Sequence, residues 1–124
     1  LLKKYQKKFS KKSHVCIEGR DIGSVICPNA DVKIFFKCDV KVRAMRRWHE
    51  YKKNQPTITL REVKKALKIR DYLDINRKHS PLRASKDSIV IDTSKLSKKQ
   101  TLSKISNMVE KKLLLKYGRN FKAK

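Results

Sequence analysis

Residues 14–28 read HVCIEGRDIGSVICP, and this stretch decides how the rest of the chain is interpreted. It begins with an apolar run at residues 15–17, which predicts a short buried strand. The run ends in a charged loop bracketed by Gly19 and Gly23, and a second apolar step follows at 25–26. Open α/β sheets bind their ligands at the carboxyl ends of strands, so the loop predicts a ligand site. An ordinary solvated loop is the alternative that this stretch alone leaves open.

The length of 124 residues allows one domain with one core. No segment reaches the ~18 apolar residues of a membrane span, and the basic N-terminal stretch lacks the apolar segment of a signal peptide. Three cysteines without a C-x-x-C pair indicate reduced thiols, so we expect a cytoplasmic protein with no membrane partner. A metal site is the alternative, although the spacing of its candidate ligands matches no zinc pattern. Those candidates are Cys16, Cys27, Cys38, His14, His49 and His79.

The formal charge of +23 comes from 34 Lys and Arg against 11 Asp and Glu. A field of this size attracts any polyanion, so a non-enzymatic module that binds RNA or DNA stays open. Most of the excess is lysine scattered along predicted helices, a pattern typical of solvated helix faces. Few aromatic residues interleave with it, and the stacking platforms of single-strand binders are therefore not evident. These features disfavour nucleic acid as the partner.

Strands and helices alternate along the chain. Strands are predicted at residues 15–17, 31–39 and 88–93, and the last has the continuous apolar centre of a buried parallel strand. Helices are predicted at residues 1–9, 39–53, 60–78 and 98–118. The alternation predicts an α/β fold with a parallel sheet and right-handed crossovers.

Local signals mark the ends of the predicted helices. Asp39 is an N-cap candidate, and capping boxes precede the third and fourth helices. Ser80 and Pro81 end the third helix, Gly118 ends the fourth, and residues 119–124 form a basic tail. Helical spacing predicts buried stripes on the last two helices. Their members are Val63, Ala66, Leu67, Ile69 and Leu73, then Leu102, Ile105, Val109 and Leu113.

Two helices carry charged side chains at spacings that place them on one face. The second helix has three arginines at i, i+3 and i+4, which can together hold a phosphate bidentately. The third helix has an Arg-Asp-Arg series at i, i+4 and i+7, which a period of 3.6 also aligns. A solvated basic helix and exposed intrahelical ion pairs remain the alternatives. The residues are Arg43, Arg46 and Arg47, then Arg70, Asp74 and Arg77.

Six motifs, in order and at matching spacing, resemble the C-terminal half of the bacterial cytidylate kinase family, the (d)CMP kinases. Each motif is weak alone, and together they are specific. They lie at residues 18–23, 28–35, 43–47, 70–77, 80–82 and 89–93. The resemblance implies that residues 1–118 are the C-terminal part of such a domain, with a lid helix at about 39–54.

The resemblance also implies a P-loop kinase fold, here incomplete, and an activity. The complete enzyme would transfer the γ-phosphoryl group of ATP to CMP or dCMP with Mg²⁺, giving CDP or dCDP, and would be a monomer. Motif matches imply that the acceptor pocket is lined by Arg20, Asp21, Arg70, Asp74 and Arg77. They imply that a mobile lid neutralises phosphate charge through Arg43, Arg46 and Arg47. Phosphoryl transfer relies on such positioning and charge stabilisation.

The chain departs from the family in one decisive respect. The Gly-rich phosphate loop ending in Gly-Lys does not occur, because the three glycines are followed by Arg or Ser. The segment that clamps the acceptor's phosphate is also missing, and Lys7 stands where the family usually has Arg. The resemblance implies that the phosphate-loop strand lies between the strands near Val15 and Val32. We therefore expect the 124 residues alone to be poorly folded and without kinase turnover. A decayed or split gene product stays open.

Overall fold

The computed structural model describes residues 2–12, 14–78 and 82–118. These ranges contain both helices and strands, as the sequence predicted, and two consecutive helices separate the two strands. The predicted break at Ser80 and Pro81 and the predicted tail at 119–124 lie outside the described residues. The elements are α1 (Leu2–Ser10), a π-helical turn (Ile22–Ile26), β1 (Ile34–Lys37), α2 (Val40–Tyr51), α3 (Leu60–Ile75), β2 (Ile89–Asp92) and α4 (Lys98–Tyr117).

The predicted helix caps are confirmed. The Asp39 carboxylate accepts a hydrogen bond from the Lys41 backbone N–H at 2.7 Å and so satisfies a free donor of α2. Both capping boxes form, at Thr59 with Glu62 and at Ser97 with Gln100. Because these caps depend on residues two or three positions apart, they can be predicted from the sequence alone. Two helix ends differ from the prediction, since α3 stops at Ile75 and not near residue 78, and α2 stops at Tyr51 and not near residue 53.

The sheet consists of β1 and β2, paired in parallel from Ile34 with Ile89 to Lys37 with Asp92. Ile91 is its most buried side chain, whereas Phe36 and Val90 are each 54% exposed. Parallel sheets are normally covered on both faces. In the described ranges the two strands pair only with each other, so the outer edge of each strand is open.

The predicted strand at residues 15–17 is wrong. These residues are irregular, and the apolar step that follows belongs to the π-helical turn. In that turn the Cys27 N–H donates to the Ile22 carbonyl oxygen at 2.7 Å. A strand exists through ladder hydrogen bonds to a neighbour, and no segment of the described chain provides one here.

The core lies between α2 and α3. Ala44, Val63 and Leu67 are buried there, and the Trp48 indole N–H donates to the Ile58 carbonyl oxygen at 3.0 Å. This pairing makes α2 and α3 a helical hairpin whose inner faces support the charged side chains nearby. The partly buried residues around the core are Val40, Trp48, Ile58 and Leu60.

The predicted apolar stripes are only partly correct. On α3, Val63 and Leu67 are buried, but Ile69 and Leu73 are 53% and 59% exposed, and Ala66 is also exposed. On α4 none of the described residues is buried. A helix buries only the row that meets a neighbour, and α2 covers only the 63/67 row of α3. The stripe pattern therefore identified the helices correctly and overstated how much of them is covered.

Candidate functional site

A cleft of about 180 Å³ lies beside the α2–α3 hairpin, and we call it the arginine cleft. Leu67 and Leu82 supply its apolar surface. Four guanidinium groups and two carboxylates supply the rest, which leaves an excess of two positive charges. These charged residues are Arg20, Arg43, Arg47, Arg70, Asp71 and Asp74.

The deepest charged contact in the cleft joins Arg20 to Asp74. Arg20 lies just before the π-helical turn, and its Nη1 is 3.0 Å from Oδ1 of Asp74 on α3. Asp74 is only 8% exposed. Its backbone carbonyl accepts a hydrogen bond from the Leu82 N–H at 2.9 Å, which brings the segment after α3 to the same place. Three separate segments thus converge on Asp74.

A second pair, Arg43 with Asp71, links α2 to α3. Nη1 of Arg43 donates to Oδ1 of Asp71 at 2.9 Å, and Nη2 donates to the other carboxylate oxygen. Nε of Arg43 donates to the Cys38 carbonyl at 3.1 Å. Hydrogen bonds from Arg43 hold the pKa of Asp71 below its ordinary value of 3.8. Arg43 therefore uses all three of its donor groups inside the protein.

The lowered pKa of Asp71 gives a pH dependence of stability. A carboxylate whose folded pKa is depressed stabilises the fold above its unfolded pKa and loses that contribution as pH falls through the folded pKa. We expect the thermal midpoint of the α2–α3 hairpin to fall as the pH drops below 3.8. Circular dichroism melts between pH 2 and pH 7 measure the thermal midpoint as a function of pH. The fall of the midpoint at acid pH should be smaller in Asp71→Asn. An identical acid limb in the variant would contradict the assignment.

The remaining lid arginines differ from Arg43 and from each other. Nη2 of Arg46 donates to the carbonyls of Thr93 and Leu96 at 2.8 and 2.9 Å, so this side chain holds the turn after β2. Arg47 and Arg70 line the cleft, and neither forms a hydrogen bond or ion pair with the described residues. Arg47 and Arg70 therefore have all of their donors available to a ligand.

Two of the predicted pocket residues do not line the cleft. The Asp21 carboxylate lies 4.0 Å from Nζ of Lys3, and the Asp21 backbone carbonyl accepts hydrogen bonds from the N–H groups of Val25 and Ile26. Arg77 is exposed beyond the end of α3. The predicted residues that the structure does bring together are Arg20, Arg43, Arg47, Arg70 and Asp74.

Asp71 is the cleft residue that sequence reasoning did not assign. It follows Arg70 directly in one of the six motifs, and this neighbour was the only signal available. Its partner Arg43 is 28 positions away, and no periodicity connects residues at that distance. Membership of the motif could have identified Asp71, but its pairing required the structure.

The described residues contain neither a cluster of metal ligands nor a helix that could span a membrane. In residues 2–12, 14–78 and 82–118, no group of three or more His, Cys, Asp or Glu side chains could hold a metal ion. The three cysteines are free thiols. No helix in those ranges combines the length and hydropathy that crossing a bilayer requires.

Comparison with known proteins gives a consistent result. The family model described as "Cytidylate kinase" matches residues 1–111. The chain is 44% identical over 111 residues to a cytidylate kinase of Clostridium botulinum (strain Okra / Type B1), covering 90% of this chain and 51% of that protein. It is 43% identical over 106 residues to one of Fusobacterium nucleatum subsp. nucleatum, covering 86% of this chain and 49% of that protein.

A more distant relative covers the same share of the chain. A cytidylate kinase of Phytoplasma mali (strain AT) is 36% identical over 116 residues, covering 92% of this chain and 50% of that protein. The chain thus spans about half the length of the curated relatives it matches.

Proposed function

The chain belongs to the cytidylate kinase family, and we propose that its arginine cleft holds the acceptor nucleotide, CMP or dCMP, during phosphoryl transfer from ATP. The products would be CDP or dCDP and ADP, a step of pyrimidine nucleotide metabolism. One observation supports the proposal most strongly, the ion pair that Arg20 forms with the buried Asp74 from a separate segment. A monomeric, cytoplasmic enzyme is the further expectation, and it rests on the family alone.

The charge of the cleft suits a phosphorylated acceptor. Four guanidinium groups outnumber two carboxylates, so an added phosphate dianion would bring the cleft close to neutrality. Arg47 and Arg70 have free donors and would bind that phosphate, since Arg forms bidentate bonds to phosphate oxygens. The Asp74 carboxylate would accept hydrogen bonds from the nucleotide while it holds Arg20 in place.

Asp21 and Arg77 are proposed for the same pocket on motif match alone. Both flank the cleft in sequence, next to Arg20 and three residues after Asp74. Each would need a ligand larger than a phosphate group to reach it, as a whole nucleotide is. Their part in binding would therefore appear with CMP and not with inorganic phosphate.

The lid arginines are proposed to neutralise charge as it moves between the phosphates. The position of Arg47 in the lining of the cleft supports this role for it. Arg43 and Arg46 would first have to exchange their present partners, Asp71 for the former and two backbone carbonyls for the latter. A lid that moves is what such an exchange requires.

The described residues provide no set of ligands for the Mg²⁺ that the family implies. Mg²⁺ is usually held by one or two carboxylates together with substrate phosphates. The two carboxylates of the cleft are already paired with arginines, and no cluster of possible metal ligands occurs in the described ranges. We therefore assign no residue of this chain to Mg²⁺.

Kinase activity tests the proposal through complementation. The chain would be co-expressed with a polypeptide that carries the phosphate-loop half of a cytidylate kinase, and CDP and dCDP formation from ATP would be measured. We expect turnover with CMP and dCMP from the pair, and none from the chain alone. The phosphate loop supplies the backbone cradle for the β- and γ-phosphates, which this sequence does not contain.

The same experiment separates the second candidate function, a basic nucleic-acid-binding module. An inactive pair, together with tight oligonucleotide binding that weakens steeply with salt, would favour that module. ATP-dependent CDP formation by the 124 residues alone, with a cooperative thermal transition, would instead overturn the expectation that the chain needs the other half.

A further inference from the structure

We propose that Asp71 is a positioning residue that competes with the phosphoryl group of the ligand for Arg43. The inference rests on the proposed function, because it assigns a regulator to the same cleft. The Asp71 carboxylate accepts hydrogen bonds from both terminal nitrogens of Arg43, which makes the contact bidentate. A phosphoryl group binds arginine in the same bidentate geometry. The phosphoryl group and the Asp71 carboxylate therefore cannot both bind the terminal nitrogens of Arg43 at once.

The surroundings make this competition effective. Asp71 and Arg43 are only about one-third exposed, so their attraction is less screened than that of a surface pair. Nε of Arg43 remains bonded to the Cys38 carbonyl, which fixes the base of the guanidinium while its two terminal nitrogens can change partner. Arg47 and Arg70 make smaller contributions to the lowered pKa of Asp71, so the carboxylate keeps positive charge nearby when Arg43 leaves it.

The small volume of the cleft also supports the competition for Arg43. Its volume of about 180 Å³ is below the range of about 300–1,000 Å³ that is usual for small-molecule sites. Arg43 and Asp71 both belong to its wall, and their bond holds α2 against α3 at that point. Separating the pair would let the wall open toward the volume that a nucleotide needs.

The experiment measures the affinity of the chain, in complex with the phosphate-loop half used for complementation, for two probes, inorganic phosphate and CMP. Asp71→Asn keeps the side-chain shape and weakens the bond to Arg43. We expect it to tighten the binding of both probes about fivefold, which is the scale of a partly exposed ion pair. Asp71→Glu keeps a carboxylate for Arg43 and should retain the parent affinity.

Glu50→Gln is the matched control, because it removes one negative charge from exposed α2 outside the cleft. We expect it to change neither affinity by more than about twofold, as exposed charges are screened. A second readout is the carboxyl titration of Asp71 by NMR, whose pKa should rise when phosphate is added because Arg43 leaves it. A purely structural pair would show no such movement.

Each outcome separates this inference from the proposed function. Equal affinities of the parent and Asp71→Asn, or an equal gain with Glu50→Gln, would overturn the competition while leaving CMP recognition intact. A gain with inorganic phosphate, without binding of CMP by the parent or the variant, would support the competition and count against the cytidylate assignment. Absence of binding by both the parent and the variant, in a complex that circular dichroism shows to be folded, would overturn both.

Discussion

Replacing Asp74 by alanine is expected to lower CDP and dCDP formation by about 10- to 100-fold in the complemented kinase. Asp74 is 8% exposed and bonded to Arg20, so the variant leaves that guanidinium without its partner at the base of the cleft. A hydrogen bond between charged groups contributes about 1.5–3 kcal/mol, and each 1.4 kcal/mol is about tenfold in binding. Steady-state kinetics with CMP and dCMP measure the loss, which we expect mainly in KM.

The control for Asp74→Ala is Glu50→Gln, which changes one acidic residue on an exposed surface and should leave the kinetics unchanged. Helix content by circular dichroism shows whether the variant still folds. If a folded Asp74→Ala protein had the kinetics of the parent with both nucleotides, the ion pair of Asp74 with Arg20 would be purely structural.

Replacing Leu67 by alanine is expected to destabilise the α2–α3 hairpin by about 2–5 kcal/mol, the usual cost of truncating a buried leucine. Leu67 is 5% exposed and packs in the core with Ala44 and Val63, and it also lines the arginine cleft. Hydrogen exchange of the α3 backbone amides measures the effect locally, whatever the stability of the rest of the chain. We expect exchange to accelerate throughout α3.

Ile69→Ala is the matched control, since Ile69 lies on the same helix two residues further on and is 53% exposed. Its cost should stay within about 0.5 kcal/mol. Equal acceleration of exchange by both variants would show that the hairpin core is not where the structure places it.

The sequence predicted the elements whose signals are local. Capping at Asp39, Thr59 and Ser97 depends on neighbours two or three positions away, and all three predictions are confirmed. The family inferred from six ordered motifs is likewise confirmed, because such motifs carry their information in the residues themselves. The parallel pairing of β1 and β2 followed from the alternation of strands and helices.

The failures share one cause, dependence on a partner distant in the sequence. The apolar run at residues 15–17 has the composition of a strand, but pairing decides whether a strand forms. Ile69 and Leu73 have the spacing of a buried stripe, but the position of α2 decides which row is covered. Helical spacing grouped Arg43 with Arg46 on one face. In the structure Arg43 bonds to Asp71, whereas Arg46 bonds to the carbonyls of Thr93 and Leu96.

The open outer edges of β1 and β2 in the described ranges have a practical consequence for handling the protein. Unpaired strand edges are templates on which further copies can add and grow into precipitate. The charge of +23 opposes this, because like-charged molecules repel at low ionic strength. Buffer salt shortens the reach of that repulsion to about 8 Å at 0.15 M. Dilute buffer therefore keeps the chain dispersed, and conditions near physiological ionic strength favour its aggregation.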